Sequence, residues 1–205
     1  MDTDVSVLYE EIADWFDTNR PKSLIEREYL HLSLKHAPTK GTMLDLGCGT
    51  GEPIAFFFVR HGLKVTGVDF SHNMLDFCVK RFPNESWIEA DMRSLNIGQR
   101  FDIVFAWDSF FHLDRDAQRK MFPIFRDHLS DGGILVFNSG TQDGEKYGTM
   151  QGRPVYHASL DAEEYRTLLA RHGLQVILNK IDDSDCGGRT VWVSRYRQPR
   201  NSFPA

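Results

Sequence analysis

The clearest candidates for chemistry are three glycines at alternate positions, Gly47, Gly49 and Gly51, which follow a short apolar run. Glycines at such a turn let the backbone bend sharply and approach a ligand closely. The pattern is moderately specific, because a tight turn from a strand into a helix also favours glycine. Pro53 follows, and proline suits the first position of a helix. We therefore interpret this loop as a candidate small-molecule binding turn.

A dinucleotide fingerprint would require G-x-G-x-x-G or G-x-G-x-x-A, and its last position is occupied here by Glu52. A carboxylate at the start of the following helix is also unfavourable for a pyrophosphate, which binds at that positive end of the helix dipole. NAD is therefore a weak alternative ligand.

Acidic residues follow the next two apolar runs. Asp69 stands 18 residues after Gly51, where a carboxylate can accept hydrogen bonds from both hydroxyls of a ribose. A helix cap is the alternative role, but Ser71 suits it better. Asp91 closes the third run and could accept from an adenine amino group, unless it is simply an exposed turn residue.

Two residues after the fourth apolar run could act as a general base. His112 titrates near neutral pH, and Asp108 lies close to it in the chain. Both also have structural interpretations. His112 could pack or begin a helix, and Asp108 could cap a turn or bond to Ser109. The sequence alone leaves these alternatives open.

The elements that must position these residues alternate along the chain. Short apolar runs bounded by turn residues predict buried strands, at residues 42–46, 63–70, 86–90, 101–107 and 134–138. Helix-length segments separate them, at residues 53–61, 71–82 and 114–129. Because parallel strands require crossover connections, this alternation predicts a parallel sheet with helices on both faces.

The flanking segments differ from this core. Leu8, Ile12, Trp15 and Phe16 fall at helical spacing, and a second helical pattern runs to about Ala37, so residues 1–40 are predicted to form a helical cap. Residues 139–158 are rich in glycine and polar side chains and predict a long surface loop that could be a lid. A helix at about residues 160–172 and two strands, 174–181 and 190–196, predict a closing antiparallel hairpin.

Five segments together resemble the successive motifs of class I S-adenosylmethionine-dependent methyltransferases. They are LDLGCGTG at 44–51, VTGVDFS at 65–71, EADM at 89–92, FDIVFAWDSFFHL at 101–113 and LSDGGILVF at 129–137. The resemblance covers residues 42–138 in order and spacing. It implies an α/β, Rossmann-like, doubly wound seven-stranded sheet of order 3-2-1-4-5-7-6, with strand 7 antiparallel. The closing hairpin predicted above agrees with that topology.

The resemblance also implies S-adenosylmethionine as the cofactor and S-adenosylhomocysteine as its product. The loop glycines would contact the methionine part, Asp69 would hold the ribose, and Asp91 with Met92 would hold the adenine. The full predicted cofactor set is Gly47, Cys48, Gly49, Gly51, Asp69, Phe70, Met74, Asp91, Met92 and Trp107. A catalytic thiol role for Cys48 is disfavoured, because a small side chain is simply tolerated within the loop.

The predicted methyl acceptor is a small molecule, because the chain is little longer than the core fold. Tyr9 and Arg20 in the cap, and Tyr156 and His157 after the loop, are candidate substrate contacts; the last two could instead only pack against the sheet. WDSF replaces the N-P-P-Y type of motif after strand four, which argues against nucleobase amino groups. Methylation of a protein or tRNA, and S-adenosylmethionine binding without catalysis, remain alternatives that the shape of the pocket would discriminate.

Composition narrows the remaining classes. The 205 residues predict one domain, 1–205, with a core at 41–198. With 24 basic and 29 acidic side chains, the net charge of −5 has the wrong sign for neutralising phosphates, so no nucleic-acid partner is expected. The three cysteines and eight histidines show no zinc-like spacing, and no metal is predicted.

Neither a membrane segment nor a secretory signal is predicted. The longest strongly apolar run, residues 54–59, is far shorter than the roughly 20 residues that a bilayer requires. The N-terminus is acidic, with Asp2, Asp4, Glu10 and Glu11, and lacks a basic segment before an apolar one. The expected location is the cytoplasm.

Overall fold

The structure is a computed structural model that describes residues 5–198. Asp2 and Asp4 of the acidic N-terminus lie outside the described residues. Residues 199–205, which the single-domain prediction includes, also lie outside them.

A seven-stranded sheet forms the centre of the molecule. The nine strands of residues 5–198 are β1 Thr42–Leu46, β2 Lys64–Asp69, β3 Ser86–Glu89, β4 Phe101–Ala106, β5 Leu129–Ser139, β6 Gly144–Met150, β7 Arg153–Ser159, β8 Leu174–Asp183 and β9 Arg189–Tyr196. The central sheet has the order β3-β2-β1-β4-β5-β9-β8, and β9 runs antiparallel to both of its neighbours. Because β8 and β9 are its sixth and seventh strands, the predicted order 3-2-1-4-5-7-6 is confirmed.

Helices cover both faces of this sheet. They are α1 Val5–Glu11, α2 Ala13–Asn19, α3 Arg27–His36, α4 Ile54–Arg60, α5 His72–Arg81, α6 Arg115–Asp127 and α7 Ala162–Arg171. Successive side chains of a strand point to opposite faces, so Val104 of β4 packs with α6 and α7 while Ile103 and Phe105 pack with α3 and α4. Each fully buried side chain of this size contributes about 1.5–3 kcal/mol. No helix of residues 5–198 is long and apolar enough to cross a membrane.

Local side-chain bonds explain where the core helices begin. The Ser71 hydroxyl accepts a hydrogen bond from the Met74 amide, and the Asp114 carboxylate accepts one from the Ala117 amide. Such caps satisfy amide groups that have no partner within the helix. The predicted N-terminal helix is divided into α1 and α2, because Ile12 departs from helical geometry with φ −100° and ψ 10°.

The prediction of a long surface loop at residues 139–158 is wrong, because most of these residues form two strands. Strands β6 and β7 pair antiparallel as a separate two-stranded sheet, joined by Gln151 and Gly152, which both have positive φ. Two such residues form the tight turn that suits the twist of a hairpin. Polar residues and glycines concealed the strands, since only one part of the hairpin is buried: Val155 packs against Leu8 and its neighbours in the cap.

Candidate functional site

The glycine loop lies between the end of β1 and the start of α4. Gly47 and Gly49 have φ values of 76° and 52°, a region that side chains disfavour. A Cβ atom on Gly47 would lie 2.3 Å from the Cβ of Ser109, so this position requires glycine for close packing as well. At Gly49 the nearest atom to such a Cβ belongs to the Phe16 ring, 3.5 Å away. The loop therefore faces the helical cap.

Asp69 fastens this loop from the end of β2. Its Oδ2 accepts a hydrogen bond from the Gly49 amide at 2.9 Å, and its Oδ1 accepts one from the Ser71 amide at 3.0 Å. Burial raises the pKa of this carboxyl group, and the amide bonds oppose the rise. Since Ser71 caps α5, as predicted, Asp69 does not act as that cap. Each carboxylate oxygen keeps a further lone pair for a ligand hydroxyl.

The adenine-side candidates differ in their surroundings. Asp91 is part-exposed, and its carboxylate accepts hydrogen bonds from the Arg93 amide at 2.8 Å and from Arg93 Nε at 2.8 and 3.0 Å. This is the turn arrangement that the sequence had left open as an alternative. Met92 is buried beside Gly47. The adenine role of both residues stays a prediction.

The other predicted cofactor residues flank the loop. Phe70 is 40% exposed beside Asp69, whereas Met74 is buried against the cap. Cys48 packs with Leu75 and Cys78, and burial raises the pKa of its thiol. A thiol that resists ionisation is a poor nucleophile, which agrees with the absence of a predicted catalytic role.

Trp107 and Asp108 follow β4. The Trp107 ring is buried at centroid distances of 5.8 Å from Tyr29 and 5.7 Å from Phe105. Asp108 has a φ of 51°, and its backbone amide donates to Asn138 Oδ1 at 2.8 Å.

Three hydrogen bonds hold the Asp108 carboxylate. It accepts from Asn138 Nδ2 and forms a two-point ion pair with Arg189, with both distances 2.8 Å. Burial would raise the pKa of Asp108, but the Arg189 hydrogen bond and charge outweigh it and lower the pKa. This geometry favours a positioning role over the predicted base role. A weakly basic carboxylate that already accepts hydrogen bonds from two side chains accepts a proton poorly.

His112 lies in a short 3-10 turn, and both of its ring nitrogens have partners. Nδ1 is 2.9 Å from the Tyr156 carbonyl oxygen, which can only accept, so Nδ1 carries the hydrogen. Nε2 then accepts from the Tyr9 hydroxyl at 3.1 Å. Burial lowers the pKa of His112 to about 4 and raises that of Tyr9 to about 12. The pair is therefore neutral at pH 7, with Nε2 as the basic atom.

The two candidate substrate contacts of β7 point in different directions. The His157 ring centroid lies 4.9 Å from that of His112, within the site. Tyr156 places its ring against Tyr147 on the other face of the hairpin, 5.5 Å between centroids, and contributes its carbonyl oxygen to His112. Alternation along a strand explains this division, because neighbouring side chains face opposite sides.

A cavity of about 260 Å³ lies at the carboxyl end of β4, where Trp107 and Asp108 line it; Tyr9, His112, Tyr156 and His157 are not among its lining residues. Its wall includes Arg20, whose guanidinium carbon is 5.2 Å from the Phe16 ring centroid. The chief lining residues are Trp15, Phe16, Arg20, Ile25, Glu26, Pro53, Trp107, Asp108, Met150 and Arg189. Ligands of open α/β sheets bind beyond the carboxyl ends of the strands, and this cavity occupies that position.

Side chains of α1 hold the helical cap over the site. The Glu10 carboxylate accepts from the Ser71 hydroxyl at 2.5 Å and from the Asn73 amide at 3.2 Å. Glu11 forms an ion pair with Arg153 of the hairpin. The cap therefore contacts both the start of α5 and the β6–β7 hairpin.

Sequence reasoning missed three residues of this site: Glu10, Glu26 and Arg189. Glu10 and Glu26 lie in helical patterns where a carboxylate usually faces solvent. Arg189 follows two glycines in the last hairpin, and no local signal connects it with Asp108. Among the described residues, no group of three or more His, Cys, Asp or Glu side chains is arranged to hold a metal ion.

Comparison with known proteins matches residues 43–133 to a family described as a methyltransferase domain. Over 107 residues the chain is 35% identical to a trans-aconitate 2-methyltransferase of Rhizobium etli. The aligned segment covers 50% of this chain and 40% of that relative. The chain is 26% identical over 132 residues to a dTDP-3-amino-3,4,6-trideoxy-α-D-glucopyranose N,N-dimethyltransferase of Streptomyces venezuelae. That alignment covers 62% of this chain and 55% of the relative. The chain thus spans about half the length of the curated relatives that it matches.

Solved structures share the fold over a larger part of the chain. An S-adenosylmethionine-dependent methyltransferase from Clostridium acetobutylicum superposes with a TM-score of 0.73 at 15% identity, covering 93% of this chain and 100% of that chain. CalS10, an amino pentose methyltransferase from Micromonospora echinaspora with S-adenosylmethionine bound, gives a TM-score of 0.70 at 19% identity, covering 92% and 96%.

The sheet order and the glycine loop with its following acid define a class I, Rossmann-like methyltransferase fold. The sequence match over residues 43–133 agrees with this class. Residues 43–133 thus match a methyltransferase-domain family, and the chain has the fold of class I S-adenosylmethionine-dependent methyltransferases, as the motif resemblance had indicated.

Proposed function

We propose that this chain transfers the sulfonium methyl group of S-adenosylmethionine to a small-molecule acceptor. The observation that carries this proposal is the position of the cavity. Phe16 and Pro53 line it and also border the glycine loop, so a ligand on the loop and a second molecule in the cavity would be neighbours. Bringing two reactants together in a fixed orientation is the main contribution of protein to such a transfer.

The residues around the loop fit the cofactor. Asp69 is a buried carboxylate without a cationic partner among its hydrogen bonds, which suits two ribose hydroxyls. Asp45, at the end of β1, is 3% exposed, and burial raises its pKa to about 7. A buried carboxyl of this kind suits a positively charged ligand such as the methionine part of the cofactor. The loop glycines leave room for that part.

The surroundings of Glu52 support this cofactor over NAD. Its carboxylate is 2.6 Å from Lys22 Nζ and 3.5 Å from Arg81 Nη1. The start of α4 thus holds an anion of its own and two cations that compensate it. A pyrophosphate would have to compete with this carboxylate.

The bound cofactor would supply an activated methyl group, and the chain's residues would orient the acceptor and remove its proton. We assign the proton to Nε2 of His112, reached through the Tyr9 hydroxyl that already donates to it. His112 is neutral at pH 7, so Nε2 has a lone pair that can accept a proton in the transition state, but its pKa of about 4 makes it a weak base. Trp107 and the aromatic residues of α2 would exclude water from the site.

The size of the cavity favours a small acceptor over the alternatives from sequence. A macromolecular acceptor would require an open groove. A protein that binds the cofactor without catalysis would have no need of a space for an acceptor beside the loop. A cavity of about 260 Å³ that is bounded by α2, the strand ends and the hairpin turn fits a small molecule better.

Calorimetry with S-adenosylmethionine, S-adenosylhomocysteine and NAD is the first test, followed by incubation with methyl-labelled cofactor and a metabolite library. We expect both sulfur compounds to bind, NAD not to bind, and label to enter a small molecule. Binding of NAD with no response to either sulfur compound would overturn the cofactor. Label that enters only protein or tRNA would overturn the small-molecule acceptor.

A further inference from the structure

Glu26 is an unusual residue in the wall of the cavity. It precedes α3 at the N-cap position, yet its side chain makes no cap hydrogen bond. The residue is 3% exposed, and its Oε1 is buried with no hydrogen-bond partner in the described part of the chain. Burial raises the pKa of this carboxyl group. A buried carboxylate oxygen without a partner is unfavourable unless something else completes its bonding.

The other carboxylate of the cavity wall is already satisfied. Asp108 is bonded by Arg189 and Asn138. The Arg20 guanidinium lies over the Phe16 ring, and its charge lowers the pKa of Glu26 without a direct ion pair between them. Glu26 is thus the lining carboxylate with an oxygen that has no hydrogen-bond partner in the described part of the chain.

Taking the cavity as the acceptor site of the proposed function, we propose that Glu26 binds an amino group of the acceptor, which is therefore a small amine. An amine donates hydrogen bonds to the buried Oε1 and, when protonated, also balances its charge. A hydroxyl donates one bond and brings no charge, whereas a carboxylate has no hydrogen to donate to Oε1.

The remaining wall suits the body of such a molecule. Trp15, Phe16 and Trp107 present aromatic surfaces to the cavity, and Ile25 adds an aliphatic one. Aromatic faces attract cations and also cover apolar rings. A mostly apolar wall with a small number of polar groups, here Glu26 with Arg20, Asp108 and Arg189, is the usual composition of a small-molecule site.

Three probes of the same shape test this proposal: cyclohexylamine, cyclohexanol and cyclohexanecarboxylate. Each is titrated into the full chain loaded with S-adenosylhomocysteine, and binding is followed by the fluorescence of Trp15 and Trp107, which line the cavity. We expect the amine to bind at least about tenfold more tightly than the alcohol and the acid. Equal binding of the three, preference for the acid, or no detectable amine binding would overturn the proposal.

Two variants locate the effect. Glu26→Gln keeps the shape of the side chain and should abolish the preference for the amine while leaving affinity for the alcohol unchanged. Glu28→Gln, two residues further in α3, is the control, because the Glu28 side chain is 65% exposed and should leave the preference intact. An unchanged amine preference in a folded Glu26→Gln variant, judged by its melting temperature, would refute the assignment.

Calorimetry with S-adenosylhomocysteine separates this proposal from the proposed function. If the parent chain fails to bind it, the proposed function fails, and the amine preference is then measured on the unloaded chain. If it binds and the amine preference is absent, the function stands and the role of Glu26 is wrong.

Discussion

Arg189 donates two parallel hydrogen bonds to Asp108, from Nε to Oδ1 and from Nη2 to Oδ2, each 2.8 Å long. The pair joins the chain just after β4 to the first residue of β9. A third bond, from Arg189 Nη1 to the Cys186 carbonyl at 2.9 Å, orients the guanidinium. Asp108 is held with a φ of 51°, which few residues other than glycine adopt without support. The pair therefore fixes one wall of the cavity.

Replacing Arg189 by Met should destabilise the fold by about 1–3 kcal/mol, because the Asp108 carboxylate loses its charged partner in a mostly buried position. Urea denaturation measures this loss. Adding Asp108→Asn to the variant should restore part of it. Arg126→Met is the matched control, since its ion pair with Asp127 is more exposed and should be worth less than about 1 kcal/mol. Equal effects of Arg189→Met and Arg126→Met would contradict a structural role for the Asp108 pair.

Asp69→Ala should weaken binding of S-adenosylhomocysteine by about 2–4 kcal/mol, because two ribose hydroxyls would lose a buried charged acceptor. Calorimetry measures the affinity, and circular dichroism checks that the chain still folds. Asp76→Ala, in the exposed first half of α5, should bind like the parent. A folded Asp69→Ala variant with parental affinity would show that the carboxylate only fastens the Gly49 amide.

His112→Gln should lower kcat about 10- to 1000-fold with little change in cofactor affinity, since a base acts mainly in the transition state. Tyr9→Phe removes the hydroxyl that donates to Nε2 and should lower kcat by the same route. Turnover is measured with the acceptor identified from the library.

A double variant tests whether the two residues act together. If they form one unit, Tyr9→Phe with His112→Gln should be little slower than the slower single variant. A purely structural His112 would give another result: the variant would melt at a lower temperature while turnover per folded molecule stayed unchanged.

The stability of the parent chain should fall more steeply than that of His112→Gln as the pH drops from about 6.5 to about 4. Burial lowers the pKa of His112 from 6.5 to about 4, so within this window the unfolded chain binds a proton that the folded chain does not. The difference in stability between the two proteins should change by at most about 3 kcal/mol. Urea denaturation at several pH values measures it, and parallel pH profiles would contradict the burial of a neutral His112.

A parallel sheet with helices on both faces could be predicted from local patterns, because buried strands and amphipathic helices alternate along the chain. The order of its strands was implied by the resemblance to class I methyltransferases. Alternation between strands and helices permits few topologies, since crossovers are right-handed and connections are short. Ser71 as a helix cap was predicted for the same reason, because a cap acts on an amide three residues away. The β6–β7 hairpin escaped prediction, since β6 is largely exposed and its polar residues and glycines leave no apolar pattern. Its turn at Gln151 and Gly152 was the one local signal.

The sequence by itself determined the class of fold, the glycine loop and the acidic residue at the end of β2. All of these depend on neighbours in the chain. Only the tertiary structure decided that Asp108 is bonded by Arg189, that Tyr9 donates to His112, and that Glu26 lies buried in the cavity wall. The first two contacts join residues 81 and 103 positions apart. No local pattern encodes such contacts, because they depend on which loops meet at the carboxyl ends of the strands and on how the cap folds over them.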